Sequence, residues 1–119
     1  MIYQPHQLGQ QAEKAAARAL KKSGLKLIEK NFRGKMGEID LIMQDKEELV
    51  FVEVRLRNHQ DYASALESVD YKKQQKLIKT AQFYLQKHQL ADTVPCRFDV
   101  VAIAFLADKT SFDWIKNAF

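Results

Sequence analysis

The chain has 119 residues, 46% hydrophobic and 29% charged, with a net charge of +4 and a pI of about 9.2. This balance excludes disordered and fibrous classes and fits one domain over residues 1–119; the mild basic bias is compatible with a nucleic-acid partner. Cys96 is the only cysteine, which excludes an intrachain disulfide and fits a reducing compartment. The opening MIYQPHQLGQ has no apolar signal core, and no apolar run reaches membrane-span length, so the expectation is a cytoplasmic protein with no membrane partner.

In chain order, the first expected element is a helix from about Pro5 to Ser23. Leu8, Ala12, Ala15, Ala16 and Ala19 recur at helical spacing, with Leu20 widening the stripe. Pro5 suits the first turn, Gly24 suits the C-terminus, and the alanine face calls for close packing on a sheet. Glu13 lies at the border of that face. Its spacing fits a solvated rim residue or a carboxylate aimed at a neighbouring strand. Gln10 and Gln11 precede it, so no second acid joins it there.

LKLIEKNF (Leu25–Phe32) reads as a short strand with imperfect alternation, followed by a turn through Gly34. From Lys14 to Lys35 there are eight basic residues and one acid, Glu29. Such charges commonly only solvate a surface; clustered, they also suit phosphate.

The centre of the chain is GEIDLIMQDKEELVFVEVRLR, from Gly37 to Arg57. It reads as two strands and a turn. Ile39, Leu41 and Met43 alternate with Glu38, Asp40 and Ile42, and Val50, Val52, Val54 and Leu56 alternate with Leu49, Phe51, Glu53 and Arg55. Placing the two apolar sets on one face sets the register. Lys46-Glu47 suits a type I′ turn poorly, so a four-residue loop, Asp45–Glu48, is expected. On the other face Ile42 would then oppose Phe51, Asp40 would oppose Glu53, and Glu38 would oppose Arg55. Opposed carboxylates repel, and a shared proton, a basic neighbour or a metal ion must relieve them.

Residues 58–64 (NHQDYAS) read as a loop, followed by one long helix to about His88. Ser64 with Glu67 has capping-box spacing, and Asp70 is a second N-cap candidate. Leu77, Ile78, Ala81, Tyr84 and Leu85 share one face; Lys72, Lys76, Lys79 and Lys87 lie opposite, with Phe83 among them. Lys72–Lys87 holds five lysines and no acid. An unpaired row of this kind fits either a solvated face or a surface that meets phosphates. RFDVVAIAF (Arg97–Phe105) is apolar on both faces, as a central strand should be, with Asp99 pairing Arg97 or a lysine. Phe112–Ile115 reads as a last strand. The fold class is α/β or α+β, a mixed five-stranded sheet flanked by helices in the order α-β-β-β-α-β-β.

Two carboxylates beside a cation are what metal-assisted phosphodiester cleavage requires. Asp40, Glu53 and Arg55 form that candidate set, with Glu13 and Glu38 in reserve. GEIDLI, FVEVR, YKKQQKLIKTAQFYL, RFDVVAI and the terminal NAF, in that order, resemble the YraN family of small bacterial proteins. That family in turn resembles the restriction-endonuclease-like superfamily, in particular archaeal Holliday-junction resolvases. The resemblance runs from LGQQAE to Phe119. It implies a DNA partner, with RNA still open, and a Mg²⁺ or Mn²⁺ cofactor. Asp40 and Glu53 would be the metal-binding acids, helped by the Val54 carbonyl, and Glu13 the first-helix acid. Lys72, Lys73, Lys76 and Lys79 would lie along the nucleic-acid backbone. Resolvases act as dimers, so a homodimer follows by analogy.

Arg55 stands where the superfamily has lysine. Arginine stays protonated and cannot act as a base. The resemblance therefore leaves three readings open: an endonuclease, a nucleic-acid-binding module without efficient cleavage, and a protein-interaction domain on a nuclease scaffold.

Overall fold

A computed structural model describes residues 5–57 and 62–119. The expected loop over 58–64 falls largely on residues outside that set, as does the start of the opening segment. α1 (Pro5–Lys22) is followed by β1 (Lys26–Arg33), β2 (Glu38–Asp45) and β3 (Glu48–Arg57), then α2 (Tyr62–Glu67), α3 (Tyr71–Lys87), β4 (Cys96–Phe105) and β5 (Thr110–Ile115). The five strands form one sheet in sequence order. Only β3 and β4 are parallel, because α2 and α3 carry the chain back across the sheet between them. The mixed five-stranded sheet flanked by helices is thus the one expected. The long helix forms as α3, starting at Asp70 rather than Ser64: Asp70 caps it by accepting the Lys73 N–H at 2.8 Å, and a separate short helix, α2, precedes it. Ser64 lies inside α2 rather than at a cap.

The core has two layers. On one face Ala12, Ala16, Ala17 and Leu20 of α1 pack on Leu41, Met43, Val50, Val52, Val101 and Ile103. Small side chains on the helix let its backbone lie close to the strands. Gly24 ends α1 with φ 102, and the Leu25 N–H reaches the Leu20 carbonyl at 3.1 Å, a Schellman closure. On the other face Leu77, Ala81 and Tyr84 of α3 pack on Phe32, Ile39, Ile42, Phe51 and Val100. Tyr84 meets Phe32 and Phe51 edge-on, which suits the ring quadrupoles.

The hairpin departs from expectation at both ends. Its tip is a two-residue loop, since Asp45 still pairs with Glu48. Lys46 takes φ 58 there. The cost of that conformation is offset by Arg97, which bridges Asp45 at 3.0 Å and Glu48 at 2.7 Å and so ties together two acids that would repel. At the other end the β2–β3 ladder stops at Leu41–Val52. Beyond it β2 stays with β1 and β3 stays with β4, so the sheet forks. The expected Asp40–Glu53 and Glu38–Arg55 ladder pairs do not form; Glu38 pairs with Arg33. Ile39 also leaves the face shared by Leu41 and Met43 and joins the α3 side. Asn31, at φ 52 between the Lys30–Leu41 and Phe32–Ile39 pairs, lies beside this change of face.

Candidate active site

Asp40 sits in the fork. Its Oδ2 accepts the Val54 N–H at 2.8 Å, replacing the backbone carbonyl that a continued ladder would have supplied. The side chain therefore fills the gap between β2 and β3. Its carboxyl comes within hydrogen-bonding reach of Glu53. Asp40 is half-buried and Glu53 is 5% exposed. Burial, the Glu53 charge and the hydrogen bond to Glu53 push the Asp40 pKa up to about 8, against the opposing pull of the Val54 N–H. Two acids expected to face each other across a regular ladder meet instead through a break in it.

Glu53 faces α3. Its Oε2 is 3.1 Å from Arg55 Nη2 and 3.3 Å from Lys73 Nζ. Arg55 also donates to the Ser68 carbonyl at 3.4 Å, and its buried Nε has no hydrogen-bond partner among the described residues. Lys73 is set in place by the Asp70 cap, which starts the helix one turn before it.

Glu13 and Glu38 lie on the α1 side. With its amide nitrogen facing them, Asn31 donates to Glu13 Oε1 at 3.1 Å and Glu38 Oε1 at 2.9 Å. These residues line an open cleft of about 400 Å³ with Gly9, Gln10 and Arg33. Burial raises the Glu13 pKa; the Asn31 hydrogen bond and Lys30 oppose this, while Glu38 and Glu53 add to it. Arg33 Nε is 3.4 Å from Glu38 Oε2.

The sequence-predicted acids thus gather round one end of the sheet. Among the described residues, no three His, Cys, Asp or Glu side chains converge as a metal-holding group. Asp40 and Glu53 offer a paired set of hard oxygens. Of the lysines, Lys73 reaches the pair, whereas Lys72, Lys76 and Lys79 are exposed along α3. Sequence reasoning missed Asn31 and the ion-pairing role of Lys73. Asparagine's tolerance of left-handed backbone was the available signal for the first; nothing local signalled the second.

Taken together, this is a mixed α/β domain with a partly buried carboxyl pair at a strand fork, an arrangement compatible with a nuclease-like fold. Residues 12–103 match the model of a family described as "Uncharacterised protein family UPF0102", and the chain belongs to that family. It is 51% identical over 111 residues to a UPF0102 protein of Stutzerimonas stutzeri, covering 93% of this chain and 92% of that one. A UPF0102 protein of Coxiella burnetii is 54% identical over 111 residues, covering 93% and 90%. One from Alcanivorax borkumensis is 48% identical over 112 residues, again covering 93% and 90%. No helix among the described residues is long and apolar enough to cross a membrane.

Proposed function

We propose that this protein is a Mg²⁺- or Mn²⁺-dependent endonuclease acting on branched DNA by phosphodiester hydrolysis. The observation that carries the reading is the Asp40–Glu53 pair, two carboxyls that meet through the break between β2 and β3, with Asp40 held there by the Val54 N–H at 2.8 Å. A hard divalent cation takes one or two carboxylates together with water and phosphate oxygens, and it would relieve the same repulsion. The donor set fits: Asp40 and Glu53 would hold the ion, with the Val54 carbonyl beside them. When bound, the ion supplies Lewis acidity to a phosphoryl oxygen and lowers the pKa of a coordinated water.

The chain's own residues do the rest. Arg55 and Lys73 balance Glu53 at rest and present donors to an arriving phosphate. Arg55, which stays protonated, stabilises negative charge in the transition state and takes no proton. Glu13 assists from the cleft side, positioned by Asn31. Lys72, Lys76 and Lys79 contact backbone, which orients the nucleic acid without reading its sequence.

A second reading, binding without cleavage, is favoured by one observation: both cations already engage the same Glu53 oxygen, and among the described residues no third acid converges on it. Incision of a labelled four-way junction and a matched duplex, with Mg²⁺, Mn²⁺ or EDTA, separates the two. Metal-dependent cutting lost in Asp40→Ala supports the endonuclease. Salt-sensitive binding without cutting, unchanged by Arg55→Lys, supports the module. Absence of any polynucleotide binding overturns both.

A further inference from the structure

Among the described residues, most large apolar side chains are buried, but Phe83 is 47% exposed and Met36 48% exposed. They line the same slot. It lies between the turn after β1 and the outer side of α3, has a volume of about 330 Å³, and is lined by Gly34, Lys35, Met36, Lys79, Thr80 and Phe83.

The slot is built rather than incidental. A Cβ on Gly34 would come within 3.2 Å of Phe83 Cδ2, so a side chain there would crowd the ring now lying against the turn. On the core side the Phe32 ring lies 5.8 Å away. Phe83 is thus backed by the core and open outward. The Thr80 hydroxyl is turned back to the Lys76 carbonyl at 2.8 Å, leaving the slot floor apolar.

Its surroundings are cationic. Lys35 and Lys79 form two of its walls, and the Lys87 ammonium lies 5.7 Å from the centroid of the Phe32 ring that backs Phe83. No acid lines it. An apolar slot ringed by lysines suits a ligand with an apolar planar face on an anionic chain. A protein segment would need acidic flanks to match it.

We propose that this slot receives an unpaired nucleobase of the bound polynucleotide, stacked on Phe83 and flanked by Met36, with adjoining phosphates on Lys35 and Lys79. Base–aromatic stacking of this kind is tolerant of sequence. The inference rests on the nucleic-acid reading above and deepens it. Lys73, at the acidic pair, and Phe83 are separated by about 15 Å of helix. That is about four stacked nucleotides at 3.4 Å each. The unpaired base would therefore sit a few nucleotides from the phosphate at Asp40 and Glu53.

The test is binding, followed by anisotropy, of a blunt duplex and of the same duplex carrying a short unpaired thymidine tail. Phe83→Ala is expected to weaken binding of the tailed duplex about tenfold while leaving blunt-duplex affinity within about twofold, since backbone contacts remain. Phe83→Trp is expected to restore tail binding, and its indole fluorescence to be quenched by the tailed duplex only. Equal loss on both duplexes, or no loss on either, overturns the base slot while the nucleic-acid reading stands. A dimer in sedimentation that Phe83→Ala turns to monomer, with DNA binding unchanged, assigns the slot to a second copy and also overturns it. If the parent protein binds neither duplex, the nucleic-acid reading and this inference fall together.

Discussion

Asp40→Asn is the most informative single change. The asparagine keeps an oxygen for the Val54 N–H and places an amide donor where Asp40 now meets Glu53. It mimics the protonated acid permanently. The unfolded chain releases the Asp40 proton near the ordinary value of 3.8, whereas the folded chain holds it to about 8. Between those values the folded state binds the extra proton, so stability from this group is fully present below pH 3.8 and is lost as pH rises through about 8. At about 1.4 kcal/mol per pH unit, a window about four units wide sets a ceiling of about 6 kcal/mol.

The variant should match the parent near pH 4, then exceed it increasingly up to pH 8 and hold a constant lead above that. In paired melts with EDTA the lead should grow to a few kcal/mol by pH 8, each 1 kcal/mol corresponding to roughly 3–5 °C for a domain of this size. If the pair takes a metal as proposed, millimolar Mg²⁺ at pH 8 should narrow the gap by stabilising the parent alone, the cation taking the place of the proton. A difference that stays flat with pH, or that favours the parent at high pH, would refute the account of the pair.

Arg97→Met removes the ties to Asp99, Asp45 and Glu48 and leaves the buried Asp99 charge without its cation, held only by the Trp114 and Asn117 N–H donors; urea unfolding should show a loss of about 3–5 kcal/mol. Asp70→Ala deletes the α3 cap and should cost about 1 kcal/mol, with Asp70→Asn close to neutral in the same assay. Ala16→Leu forces α1 off the sheet and should cost about 1–3 kcal/mol by denaturant midpoint. Lys72→Glu/Lys76→Glu should weaken DNA binding and lower its salt dependence by about two phosphate contacts, read from log affinity against log salt.

What could be read from the chain alone was everything carried by local period and local chemistry. The alanine stripe marked α1, period-two alternation marked the hairpin, Asp70 marked a cap, and the doubly apolar RFDVVAIAF marked a strand with neighbours on both sides. The acids were legible for the same reason: Asp40 and Glu53 interrupt patterns that are otherwise apolar. Their geometry was not. Alternation assumes an unbroken ladder, and it carried Asp40 straight across to Glu53 and Glu38 to Arg55.

At the fork a left-handed Asn31 on a third segment lies beside the break, and the Asp40 side chain stands in for a carbonyl. The tight hairpin tip likewise depends on Arg97, 49 residues from Glu48 and 52 from Asp45. Period and propensity describe neighbours along the chain. The pairing of Glu53 with Lys73, the twist of Ile39 to the opposite face and the slot at Phe83 arise from segments distant in sequence, and only their packing brings those groups within reach of one another.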